Sequence, residues 1–100
     1  MPYIKQEYRG DYEPIIRFLV DAIRRISTAQ ANDEKKMLQE VRDGHVNYII
    51  TRILKEIYAV PSYTKYNSAI GVLECVKQEF YRRVVAPYED QKIAQNGDVL

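Results

Sequence analysis

The sequence predicts an all-α fold, a small up-down helical bundle of three main helices with one or two short ones, and three observations carry that prediction. Apolar residues recur at spacings of three and four over long stretches. The stretches begin or end at residues that cap or break helices, such as Asp11, Ser62 and Pro87. No stretch holds the strict alternation expected of a half-buried strand. A chain of 100 residues without a linker, repeat or low-complexity tract reads as a single helical domain, residues 1–100.

Residues 1–10 form an extended lead-in with one helical turn around Lys5–Arg9. The first main helix, 11–27, takes Asp11 as its N-cap and tolerates Glu13 and Pro14 in its first turn. Ile15, Ile16, Phe18, Leu19, Ala22, Ile23 and Ile26 then gather on one side, opposite Arg17, Asp21, Arg24 and Arg25. From Ser27 to Asp33 the apolar period fades, so the helix is expected to end there; continuation through the alanines is the alternative. A short helix, 33–42, turns Met37, Leu38 and Val41 inward and stops before Asp43-Gly44.

The second main helix, 44–59, uses Asp43 as N-cap and buries Val46, Ile49, Ile50, Ile53, Ile57 and Val60. Its many β-branched residues raise the possibility of a strand, but Ile49-Ile50 and Ile53-Leu54 are adjacent pairs and the 3–4 spacing persists over four turns. Val60-Pro61 breaks the chain. Ser62 caps the third and longest helix, 62–86, around which the others are expected to pack. Its apolar arc holds Tyr66, Ala69, Ile70, Val72, Leu73, Val76, Phe80 and Val84, with Ser68, Gly71, Cys75, Gln78, Glu79 and Arg82 opposite. Pro87 ends that helix and opens a short one, 87–95, closed by Asn96-Gly97.

Composition narrows the function classes. There are 15 basic and 14 acidic residues, and each third of the chain balances five basic residues against four or five acidic ones. No arm or face is basic enough for general capture of nucleic acid. Nine Tyr, two Phe and no Trp place most aromatic area on side chains whose hydroxyl needs water or a partner, which favours rims and interfaces. One cysteine and no metal-ligand spacing suit a reducing compartment, and the sequence lacks a signal core or a run of about 20 apolar residues. A cytoplasmic protein with no membrane association, no metal and no cofactor is the expectation.

No residue set reads as catalytic. Cys75 has no neighbouring imidazole, His45 has no second ligand at helical spacing and is expected on the solvated surface, and Glu74 and Glu79 are five apart on different faces. Two constellations remain. Ser68, Gly71, Cys75 and Arg82 form a small-residue strip, and a glycine inside a helix costs about 1 kcal/mol against alanine, an expense that close approach of another helix offsets. This strip is the candidate interface. Asn47, Tyr48 and Arg52, with Asn67, Glu74, Tyr81, Arg82 and Arg83, form the candidate polar or ligand cluster, since tyrosine and arginine together dominate protein interfaces and also stack on bases or grip phosphates.

The run I-G-V-L-E-C-V-K-Q-E-F-Y-R-R-V-V-A-P-Y-E-D-Q-K-I-A-Q-N-G-D-V from Ile70 to Val99, the opening M-P-Y-I-K-Q-E and the segment G-H-V-N-Y-I-I-T-R from Gly44 to Arg52 together resemble a family of small, uncharacterised, all-helical proteins of microbial and phage genomes. The resemblance implies no activity, substrate or cofactor. The function expected is therefore a non-enzymatic interaction or structural module that forms a homo-oligomer, with a weak nucleic-acid or nucleotide-binding helical protein as the alternative.

Overall fold

The computed structural model describes residues 2–100. It contains α1 (Gln6–Arg9), α2 (Glu13–Glu34), α3 (Leu38–Ile57), α4 (Tyr63–Phe80), a π turn (Tyr81–Val85) and α5 (Ala86–Asn96), with no strand among the described residues. The all-α class and its three long helices follow the sequence. The chain divides into two compact units, one comprising Ile4–Ala59 and the other comprising the segment up to Tyr3 together with Val60–Leu100.

The first unit is a helical hairpin. Its helix α2 does not stop at Ser27 but runs on to Glu34, so the expected separate helix 33–42 does not exist. Ser27 and Ala31 are buried, and they are small because a second helix passes close by. What reads as a fading apolar period is therefore a crossing point. The turn is made by Lys35, held at φ 53° and ψ 46° in the left-handed region, whose N–H donates to the Ala31 carbonyl; the Lys36 N–H donates to the same oxygen at 3.0 Å. A non-glycine residue in this conformation costs about 1–2 kcal/mol. Lys35→Gly is therefore expected to stabilise the hairpin by about 0.5–1 kcal/mol after the greater chain entropy of glycine is counted. A urea midpoint that stays put or falls would contradict this.

Helix α3 then runs unbroken through Asp43 and Gly44, so neither residue forms the predicted boundary. Asp43 accepts a bond from Gln39 Nε2 at 2.7 Å, one turn earlier, instead of capping. Gly44 costs only about 1 kcal/mol inside a helix, too little to end one that packs along its length. Similarly, Tyr12 and not Asp11 occupies the cap position of α2, without a side-chain bond. Val41 is buried as expected, whereas Met37 is 74% exposed. The connection after Ile57 falls where Val60-Pro61 predicts it.

The second unit is built on one helix. Ser62 caps α4 as predicted, its Oγ accepting from the Lys65 N–H at 3.4 Å. Pro87 does not stop the helix: Phe80, Tyr81, Val85 and Ala86 all keep right-handed helical dihedrals, and α5 continues directly from the π turn. Within that turn the Ala86 N–H donates to the Tyr81 carbonyl five residues back. Proline lacks an N–H and its ring collides with the carbonyl four residues earlier; one extra residue in the preceding turn moves that carbonyl aside. Gly97 ends α5 at φ 90°, its N–H donating to Ile93 O at 2.8 Å. The apolar arc expected to be the core is instead open: Tyr66, Ile70, Val76, Phe80 and Val84 are each more than half exposed, and only Ala69 is buried.

Candidate functional site

Polar side chains lock the hairpin near its turn. Ser27 is fully buried, and its hydroxyl donates to the Ile23 carbonyl at 2.5 Å, the bond a helix offers a serine one turn along. The oxygen also accepts from Arg42 Nε at 3.1 Å, across from α3. Arg42 Nη2 reaches the Thr28 hydroxyl at 3.1 Å and the Arg24 carbonyl at 3.4 Å. One guanidinium thus spans a turn of α2, reaching the buried Ser27 oxygen and two exposed ones. One turn further on, His45 Nε2 lies 2.5 Å from Gln30 Oε1. His45 is half-buried in this seam and not the solvated surface residue expected.

The seam leaves the two sides of the hairpin unlike. On one side Leu19, Ala22 and Ile26 of α2 and Gly44, Tyr48 and Ile49 of α3 line an apolar groove of about 440 Å³. Ala22 and Gly44 are too small to fill it. Val46 and Ile50 of α3 are exposed and do not line it. Val46 and Ile50 directly follow the half-buried His45 and Ile49, so each sits 100° round the helix from a position facing α2.

The sequence-predicted polar cluster falls into two groups, Asn47, Tyr48 and Arg52 in the hairpin unit and Asn67, Glu74, Tyr81, Arg82 and Arg83 in the other. In the first, Arg52 Nη1 donates to Tyr48 Oη at 3.3 Å and Nη2 to Glu56 Oε1 at 2.9 Å, while Thr51 donates to Asn47 Oδ1 at 3.1 Å. These are one-turn pairs along an exposed helix face. In the second, Glu74 pairs with Gln78 and Lys77, and Tyr81 donates to Glu89 at 2.5 Å across the π turn. Glu89 holds the Tyr81 hydroxyl proton beyond its ordinary range. Asn67 and Arg83 make no side-chain hydrogen bond among the described residues.

One convergent group does form around the strip. Pro2, Cys75, Gln78, Glu79 and Arg82 line an open cleft of about 330 Å³. Above it the Tyr3 hydroxyl donates to Glu79, and Arg82 Nη2 reaches Glu79 Oε1 at 2.6 Å and Tyr3 Oη at 3.1 Å. Tyr3 is the residue that sequence reading missed, since nothing in the spacing of a lead-in ties it to a position 76 residues later. Ser68 and Gly71 lie on the same strip farther from the cleft. A Cβ added at Gly71 would meet nothing within 4 Å, so no helix of the described chain supplies the close approach expected there. Cys75 is exposed, and the neighbouring guanidinium is committed to Glu79.

The Tyr3 hydroxyl, and after it the Arg82 guanidinium, hold the Glu79 carboxyl below the usual carboxylate range. A lowered folded value stabilises the charged form, so the contribution is complete above the ordinary glutamate value of about 4.3. It is lost as pH falls through the lower folded value. Tyr3 is therefore expected to leave Glu79 only in that acid window, followed by NMR of the Tyr3 ring and the Glu79 carboxyl carbon. A Glu79 titration at or above the ordinary value would contradict the contact.

Among the described residues no group of three or more His, Cys, Asp or Glu side chains is placed to hold a metal ion, and no helix is long and apolar enough to cross a membrane. The profile of a domain of unknown function, DUF6899, matches residues 1–99. The chain belongs to that family. The match accords with the resemblance to an uncharacterised family and spans both units of the DUF6899 chain. No curated protein and no solved structure matches it.

Proposed function

We propose that this DUF6899 protein is a non-enzymatic helical interaction module that works as a homo-oligomer. The exposed apolar faces of its helices carry this reading. Ile15, Ile16, Phe18, Ile26, Ile53 and Ile57 on the hairpin are 48–75% exposed, and Tyr66, Ile70, Val76, Phe80 and Val84 on the long helix are 52–66% exposed. Fully burying one such side chain contributes about 1.5–3 kcal/mol, so at half exposure each leaves about 1 kcal/mol unrealised. Each unit therefore carries apolar surface that a partner could cover.

Capture of nucleic acid is the weaker reading, because Arg52 and Arg82 are already committed to Glu56 and Glu79. The single, exposed cysteine suits a cytoplasmic setting, and the resemblance of Ile70–Val99 suits an origin in microbial or phage genomes. Thermal unfolding over a dilution series tests the assembly. If the native state is an oligomer, the unfolding temperature rises with protein concentration; a temperature independent of concentration would contradict it.

A further inference from the structure

Pro2 and Tyr3 belong to the second unit and carry no regular secondary structure. Pro2 lines the cleft of about 330 Å³ with Cys75, Gln78, Glu79 and Arg82. The Tyr3 hydroxyl donates to Glu79 and accepts from Arg82 Nη2 at 3.1 Å, and the same Nη2 reaches Glu79 Oε1 at 2.6 Å. The three groups close a triangle in which one tyrosine oxygen makes both bonds of the lead-in. Tyr3 is otherwise open to solvent, at 51% exposure, so polar bonds and not burial of its ring hold the segment in place. Glu79 shows what the segment covers. Its side chain is 22% exposed, against 41%, 68% and 52% for Glu34, Glu56 and Glu74, which also form ion pairs.

Such a segment sits near balance. Ordering it costs backbone and side-chain entropy, and the bonds that offset this cost are few, although charge strengthens them. We propose that Pro2–Tyr3 is a strap that closes over the Cys75–Arg82 cleft, with the Tyr3 hydroxyl as its latch. Closed, the strap occupies Glu79 and the Nη2 end of Arg82. Open, it releases the carboxylate, the guanidinium and the cleft together, so a second molecule that binds there competes with the chain's own lead-in. The device is internal to the second unit and holds whether or not the protein forms a homo-oligomer.

Disulfide trapping in the full chain tests the strap, because Cys75 is the single natural thiol and Pro2 lines the same cleft. Pro2→Cys, oxidised with oxidised glutathione at low protein concentration, is expected to form an intramolecular disulfide with Cys75, seen by peptide mapping at the mass of one chain. Adding Tyr3→Phe keeps the ring and removes the latch, and is expected to slow disulfide formation about 5-fold or more with helicity unchanged. Arg82→Met, which leaves the Glu79 bond to Tyr3 in place, is expected to slow it less. A disulfide that forms equally fast with Tyr3→Phe would overturn the latch. Cross-links only between chains, or none at all, would overturn the strap itself. None of these results depends on the mass of the native protein, so failure of the strap and failure of the homo-oligomer are told apart.

Discussion

Ser27→Leu is expected to destabilise the protein by about 4 kcal/mol and to lower its unfolding temperature by about 15 °C or more. Ser27 has no exposed surface and accepts a bond from Arg42 of α3 at 3.1 Å. Three added carbon atoms have no space to enter unless the helices separate, and separation also strands the Arg42 guanidinium without its bonds to Ser27 and Thr28. Ser27→Ala keeps the helices close and removes only the acceptor, so about 1 kcal/mol is expected for it. Urea unfolding at one fixed protein concentration separates the two. Equal, small effects would mean that the helices do not meet tightly at this point.

Pro87→Ala is expected to act in the opposite direction, stabilising the long helix by about 2 kcal/mol, somewhat below the roughly 3 kcal/mol cost of an interior proline because the π turn already relieves part of it. With the N–H restored, the Tyr81–Val85 segment should return to ordinary α-helical bonding. The Ala86 N–H then turns from Tyr81 to Arg82, and everything beyond rotates by one residue, about 100°. Tyr81 would lose Glu89, which it now reaches across the widened turn. Backbone chemical shifts and amide exchange across residues 81–88 report this change. A π turn that persists in Pro87→Ala would show that proline is not its cause and that packing against another molecule holds it.

Much of the architecture is legible in the sequence because helix formation is a local matter. The apolar period gives three long helices, Ser62 caps where its side chain predicts, and Gly97 takes the positive φ that Asn96-Gly97 suggests. The misreadings share one physical origin. Gly44 and Pro87 weaken a helix locally, by about 1 and 3 kcal/mol, Ser27 and Ala31 interrupt the apolar period, and such signals suggest boundaries. In the structure they are tolerated, Ser27 and Ala31 because small residues allow a close crossing, and Pro87 because a π turn absorbs it. The pairings that define the candidate sites, Arg42 with Ser27, His45 with Gln30 and Tyr3 with Glu79, join residues far apart in sequence, for which periodicity carries no signal. Likewise the period identifies an apolar face without saying which molecule covers it, and so Ile50 and Phe80 read as core although both are exposed.

The mass of the intact protein in solution is the most direct test of whether a second copy completes those faces. Size exclusion with light scattering at tens of micromolar should give a mass of at least twice 11.8 kDa, with the assembly dissociating on dilution. A single mass of 11.8 kDa across that range would contradict it, and would require the apolar faces of both units to be satisfied without a partner.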